Sequence, residues 1–211
     1  MQAPDRAAIV HKSVVTGIIL AGGQGRRMGG CNKGLLNYNA RPLVSYAVEQ
    51  LRPQVDRLMI IANQAQDQYR VWTETVYADD LSMGVAPGAG GPLLGIWTAL
   101  QHTNTPWAAV MPCDSLGSSQ PWVADMLKTA TLTNKPVAFL DTPAQQEYLH
   151  CVIRTDLMSE LQQALKQGRI SVQALWRQVA AVPFPWPENL LNLNFSRQLS
   201  VLNDKIATNV K

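Results

Sequence analysis

The sequence is short of several features that would have pointed to particular functions. Cysteine is scarce: Cys31, Cys113 and Cys151 are widely spaced and form no CxxC pair, so neither a disulfide framework nor a cysteine-rich metal knot can be built. Unpaired thiols in odd number suit a reducing compartment, and a cytoplasmic chain is expected. No apolar run approaches the ~18 residues of a membrane helix, which excludes a spanning helix. Residues 1–13 carry one short apolar stretch, 7–10, with charges on both sides; they read as a flexible extension and not as a signal peptide. An excess of one charge is missing too. Lys and Arg number 18 against 15 Asp and Glu, a net +3, and no basic stripe with interleaved aromatics appears, so no nucleic-acid partner is expected. His11, His102 and His150 are too scattered to form a metal set and read as surface or hydrogen-bonded histidines.

What is present is the material of a packed globular domain. Hydrophobic residues make up 46% of the 211 and charged ones 16%, which supports a substantial core and argues against disorder. That length suits one domain, taken as residues 14–203 with a tail at 204–211.

Along the chain, strand patterns alternate with helix patterns. The β-branched run 14–20 ends at Gly22 and Gly23, and buried strands are also expected at 57–63, 76–79 (the weakest), 107–111, 136–140 and 149–153. Helices are expected at 43–51, stopped before Pro53, and at 93–101, with Pro92 in the first turn. Another is expected beyond Ser119 as a cap, with Pro121 near its start; a fourth spans 156–167, capped by Thr155 and closed by Gly168; a fifth spans 171–179. Trp97, Trp107, Trp122 and Trp176 fall on these elements and read as core. Phe184-Pro185-Trp186-Pro187 reads as a rigid extended connector with an exposed tryptophan. Strand–helix alternation implies a three-layer α/β/α fold with a mostly parallel, Rossmann-like sheet. Ligands of such sheets sit beyond the carboxyl ends of the strands, where this sequence puts its glycines and Asp114.

The run Leu20-Ala21-Gly22-Gly23-Gln24-Gly25-Arg26-Arg27-Met28-Gly29-Gly30 follows directly on the first strand. Glycines let backbone N–H groups approach anionic oxygens closely. The P-loop pattern is excluded because no Gly-Lys-Ser/Thr follows, and the dinucleotide fingerprint counted from Gly23 misses a glycine at Met28 by one residue. Arg27 and Lys33 lie on the same excursion, and cations beside a glycine-rich turn suit a polyphosphate. By themselves the glycines also allow an ordinary turn, and Asp114 an ordinary loop or capping aspartate. Cys113 has no base beside it in sequence and is not read as a nucleophile.

The stretch LAGGQGRRMGGCNKGLL resembles the nucleotide-binding signature of the molybdenum cofactor guanylyltransferases, which transfer a nucleotide onto molybdopterin. Other landmarks fall in the family's order: Ile61-Ala62-Asn63, Asp79, Gly91-Pro92-Leu93-Leu94-Gly95, Pro112-Cys113-Asp114, Gly168-Arg169-Ile170-Ser171 and Leu191-Asn192-Leu193-Asn194. The resemblance implies a nucleotidyltransferase-type fold and transfer of GMP from GTP to molybdopterin-bound molybdenum, with pyrophosphate released. It implies that Leu20, Ala21, Gly22 and Gly23 hold the nucleotide by backbone contacts and that Lys33, with Arg27, meets its phosphates. Asn63 and Asp79 would recognise the nucleoside, and Asp114 would ligate Mg²⁺. Molybdoenzyme apoproteins or their chaperones are the implied downstream partners. Gly22-Gly23, where related cytidylyltransferases usually show Ala-Gly, favours guanine over cytosine. Asn192 and Asn194 alternate on an extended segment and so share one side, which suits completion of the metal or product site and nearly as well a simple edge-strand turn; residues 84–90 are expected as a lid on the molybdopterin side.

The sequence departs from the family in three places. Asn32 replaces an aspartate before the signature lysine, Ser115-Leu116-Gly117 follows the metal aspartate, and Tyr148-Leu149-His150-Cys151 stands where proline and apolar residues are usual. These leave open a related enzyme using CTP or another phosphate acceptor, such as a sugar phosphate, and a non-catalytic homologue that binds nucleotide or cofactor.

Overall fold

The computed structural model describes residues 15–22, 32–116, 120–169 and 171–192. Strand β1 (Val15–Leu20) is buried along almost its whole length, as a central strand of a sheet covered on both faces must be. Gly17 in its middle is required by packing: a Cβ there would lie 2.8 Å from Val55 Cγ2 and 2.9 Å from Leu58 Cδ1. A small hairpin, β2 (Asn37–Tyr38) and β3 (Arg41–Pro42), leads into helix α1 (Leu43–Leu51). That helix buries Leu43, Val44, Ala47, Val48 and Leu51, one stripe at helical spacing.

Next come β4 (Arg57–Ile61), the single-turn α2 (Gln66–Tyr69), the two-residue β5 (Val76–Tyr77) and α3 (Gly91–Gln101). In α3 every residue from Leu93 to Leu100 is buried, because the sheet covers one side and a later helix the other. The chain continues through β6 (Trp107–Pro112), β7 (Ser115–Leu116), α4 (Val123–Leu132), β8 (Val137–Asp141) and β9 (Gln146–Arg154). It ends with α5 (Met158–Lys166), α6 (Val172–Gln178), β10 (Val182–Pro185) and β11 (Leu191–Asn192).

Seven strands form one sheet in the order β10-β8-β9-β6-β1-β4-β5, parallel throughout except for β9, which is antiparallel to both neighbours. Helices α1 and α4 cover one face around Trp122, Met126 and Val44; α3, α5 and α6 cover the other around Leu93, Ile96 and Trp176. The three-layer, mostly parallel expectation therefore holds. None of the helices among the described residues is long and apolar enough to cross a membrane.

Several local expectations are corrected. Residues 184–187 are no connector: Phe184 and Pro185 belong to β10, which pairs with β8 at the sheet edge, where a proline's missing N–H costs no ladder bond. Trp186 is buried there and donates its backbone N–H to Asp141 O at 2.8 Å. Thr155 opens a short 3₁₀ turn and not α5, and its hydroxyl donates to Thr105 O at 2.9 Å. The α4 start lies at Trp122, where Gln54 Oε1 accepts from the N–H groups of Trp122 and Val123 at 2.7 and 2.9 Å; Ser119 lies outside the described residues. The third strand stops at Tyr77, so Asp79 stands beyond it. Gly168 does close α5, at φ 69°, with Gly168 N–H on Leu165 O and Arg169 N–H on Ala164 O. Ser171 caps α6, accepting from Ala174 N–H at 3.2 Å.

Candidate active site

The parallel register assembles the site. Leu20 is opposite both Ile61 and Pro112, and Ile61 is opposite Tyr77, so four adjacent strands end on one line. Gly22, Asn63, Asp79 and Asp114 each lie two residues past the end of β1, β4, β5 and β6. Equal offsets from aligned strand ends bring them to one rim, the carboxyl edge where such sheets bind ligands.

The β1, β4 and β5 part of that rim is tied together by Asn63. Its Nδ2 donates to Asp79 Oδ2 at 2.7 Å and to Gly22 O at 3.2 Å, and its Oδ1 accepts from Asp79 N–H at 2.8 Å. The two-way exchange with Asp79 fixes which way the amide points. Behind it, Ala21 N–H donates to Ile61 O, Ala62 N–H to Tyr77 O and Cys113 N–H to Leu20 O, at 2.8, 2.8 and 3.0 Å. A Cβ on Gly22 would stand 3.1 Å from Asn63 Nδ2, so glycine keeps the turn close against the amide. A Cβ on Gly95 in α3 would stand 3.2 Å from Leu20 Cδ2 and at ordinary contact distance, 3.5 Å, from Asp79 Oδ1. Burial raises the Asp79 carboxyl above its ordinary value, partly opposed by the Asn63 hydrogen bond.

These residues open onto a cavity of about 450 Å³ whose lining includes Ala21, Gly22, Asn32, Asn63 and Asp79 together with Leu81, Pro87 and Gly88. That volume is in the range of small-molecule pockets. The segment expected as a lid on the molybdopterin side thus contributes Pro87 and Gly88 to the cavity that Asn63 and Asp79 line.

Lys33 opens a 3₁₀ turn, Lys33–Leu35, and its Nζ pairs with Asp114 Oδ2. Both side chains are about a quarter exposed or less (25% and 21%), so the pair remains reachable by a ligand. Neither Lys33 nor Asp114 is among the residues that line the cavity; Asn32, one residue before the lysine, is. Cys113 is buried, and burial, reinforced by the nearby Asp114 carboxylate, pushes its thiol up to about 12; it stays protonated, in keeping with a non-nucleophilic role. Strand β11 pairs antiparallel with β7, placing Asn192 opposite Ser115, beside Asp114. Gly23, Arg27 and Asn194 lie outside the described residues. Among the described residues no cluster of three or more His, Cys, Asp or Glu could hold a metal alone.

Two features escaped the sequence reading. Tyr69 is fully buried and its hydroxyl donates to Asn32 Oδ1. His150, expected to be exposed or satisfied, is buried in β9 with Nδ1 unpartnered, its ring edge-on to Trp122 at 6.2 Å. Neither residue type carries a spacing signal that would have marked it.

Sheet order, rim and cavity place a small-molecule site at the carboxyl edge of a mostly parallel α/β sheet. Comparison with known proteins narrows this: the model of the MobA-like NTP transferase domain matches residues 17–182, and the chain belongs to that family. A molybdenum cofactor guanylyltransferase from Shewanella frigidimarina is 31% identical over 196 residues, covering 92% of this chain and 97% of the relative. Among solved structures, the molybdopterin-guanine dinucleotide biosynthesis protein A of Archaeoglobus fulgidus superposes with a TM-score of 0.59 at 18% identity, covering 81% of this chain and 83% of that one. The inositol-1-phosphate CTP transferase of T. maritima gives a TM-score of 0.66 at 13% identity, covering 86% and 88%. At such identities the two structures speak for the fold alone, and that fold serves more than one nucleotide and acceptor.

Proposed function

We propose that this nucleotidyltransferase uses GTP and molybdopterin-bound molybdenum cofactor, transferring GMP to the pterin's phosphate and releasing pyrophosphate. The observation that carries the choice of base is Asp79, held by Asn63 in the lining of the cavity. An ionised carboxylate only accepts hydrogen bonds. Guanine offers two adjacent donors on one edge, N1–H and the N2 amine, whereas cytosine sets acceptors N3 and O2 beside a single amine. A fixed carboxylate therefore suits guanine and repels the cytosine edge, in line with the names of the relatives at about 31% identity.

With the base in that cavity, the phosphates run towards Lys33 and Asp114. A phosphate oxygen of the acceptor attacks the α-phosphorus; the bond from that phosphorus to the bridging β-oxygen breaks, and pyrophosphate leaves. The substrate brings its own nucleophile, so no covalent protein intermediate is needed. Lys33, with Arg27 from the glycine-rich turn, stabilises charge on the leaving pyrophosphate. The donor set fits Mg²⁺, which takes one or two carboxylates and fills its remaining positions with water and phosphate oxygens: Asp114 would hold it, and it would neutralise charge on the triphosphate.

Calorimetric titration of GTP and of CTP, each with and without Mg²⁺, tests the base and the metal together. The reading expects saturable GTP binding strengthened by Mg²⁺ and at least tenfold weaker CTP binding. Equal or tighter CTP binding would overturn the base assignment. GTP binding without magnesium-dependent pyrophosphate release when molybdopterin is supplied would point to a non-catalytic binder.

A further inference from the structure

The tripeptide Asn32-Lys33-Gly34 is mounted on one buried phenol. Tyr69 closes the single turn α2 and is wholly inaccessible, yet its hydroxyl reaches across to donate to Asn32 Oδ1. The other end of that amide is also used: Asn32 Nδ2 donates to Gln64 O at 3.2 Å. Gly34 lies directly over the phenol, where a Cβ would come within 2.4 Å of Tyr69 Oη and 3.1 Å of Cε1. Lys33 is the residue between these two anchors, and it alone of the three reaches out to Asp114. Aspartate at position 32 could accept from the phenol but would set a carboxylate oxygen against the Gln64 carbonyl. Asparagine satisfies both partners with one side chain.

We propose that Tyr69 is a positioning residue for Lys33: its hydroxyl, acting through Asn32 and roofed by Gly34, fixes the turn that presents the lysine to the nucleotide's phosphates. The proposal rests on the nucleotide site described above and adds a residue outside it. Desolvation holds the Tyr69 phenol well above its ordinary value, so it keeps its proton and remains a donor at every physiological pH. Its contribution is therefore expected on phosphate contacts, since the hydrogen bonds between Asn63 and Asp79 do not involve the Tyr69 hydroxyl.

The test is Tyr69→Phe, which keeps the buried ring and removes the hydroxyl. Binding of GTP and of GMP is measured by calorimetry. Separately, acylation of Lys33 by an amine-reactive ester is followed by mass spectrometry without nucleotide. The expected result is a loss of about tenfold in GTP affinity, the size of one hydrogen bond, with GMP affinity changed less than twofold and Lys33 acylated severalfold faster. Asn32→Ala, which removes the acceptor from a less buried position, should reproduce the faster Lys33 acylation and replaces Tyr69→Phe for that readout if Tyr69→Phe fails to fold; because Asn32 also lines the cavity, the comparison of GTP with GMP is made on Tyr69→Phe. Unchanged GTP affinity and unchanged Lys33 labelling, or equal losses for GTP and GMP, would overturn the positioning role. Faster Lys33 labelling in a chain whose wild type binds no GTP would uphold the anchoring and remove the nucleotide assignment instead.

Discussion

Lys33 and Asp114, 81 residues apart in sequence, meet as an ion pair at the carboxyl edge of the sheet. One follows the glycine-rich stretch of sequence after β1 and the other follows β6, which is hydrogen-bonded to β1 along its length. On the proposed reading a polyphosphate enters this polar centre, where the lysine would turn to phosphate oxygens and the carboxylate to their counter-cation.

Asp114→Ala should abolish pyrophosphate release while leaving the fold intact. The pair is partly solvated, so its loss costs on the order of 1–3 kcal/mol out of a typical 5–15. Steady-state release assays and a thermal melt read the two effects separately; full activity would remove Asp114 from the reaction.

Asn63→Ala removes the donor to Asp79 Oδ2 and Gly22 O and the acceptor of Asp79 N–H. GTP affinity should fall about ten- to a hundredfold, the sum of one to two hydrogen-bond contributions, with pyrophosphate contacts unaffected. Calorimetry with GTP and with inorganic pyrophosphate distinguishes this from general damage.

Asp79 carries a trade-off between stability and binding. Its folded carboxyl titrates above the ordinary value because of burial, so ionisation disfavours the fold. That penalty is absent below the ordinary carboxylate value, grows as pH rises through the raised one and is complete above it. Asp79→Asn should therefore melt at a slightly higher temperature at pH 7, with no advantage at pH 3.5, and should bind GTP at least tenfold more weakly, the penalty for losing one charge-assisted contact. Wild-type GTP affinity should also decline on acidification at a higher pH than an exposed carboxylate would dictate.

His150 gives the protein an acid-sensitive core. Burial lowers its imidazole from the usual 6.5 to about 3, so the folded chain holds it neutral while the unfolded chain protonates it. Its contribution to stability is complete above pH 6.5 and is lost progressively as pH falls from there towards about 3. His150→Leu should flatten the fall in melting temperature between pH 7 and 4.5; an unchanged slope would assign that fall to other groups.

Much of the fold was legible because buried parallel strands are written as short apolar runs and helices as spaced stripes. The family resemblance names Asn63, Asp79 and Asp114; that they share one rim follows from their equal offsets past the strand ends, which the expected strand bounds 57–63 and 76–79 hide. What the sequence concealed depends on pairing across distance. Residues 184–187 read as a connector because their prolines disguise the end of an edge strand, Val182–Pro185, and Trp186, which follows that strand, is buried. Tyr69 is an unremarked aromatic until its hydroxyl is seen on Asn32. The segment around Pro87 and Gly88 has no period at all, and its place on the cavity wall follows from tertiary packing alone.

The most direct test of the account is a crystal structure of the protein with GTP. It should place the guanine edge on the Asp79 carboxylate within the cavity between Gly22 and Pro87, with the phosphates directed to Lys33. A nucleotide bound over the β8–β10 half of the sheet, with Asn63 and Asp79 still bonded only to each other and to Gly22, would contradict it.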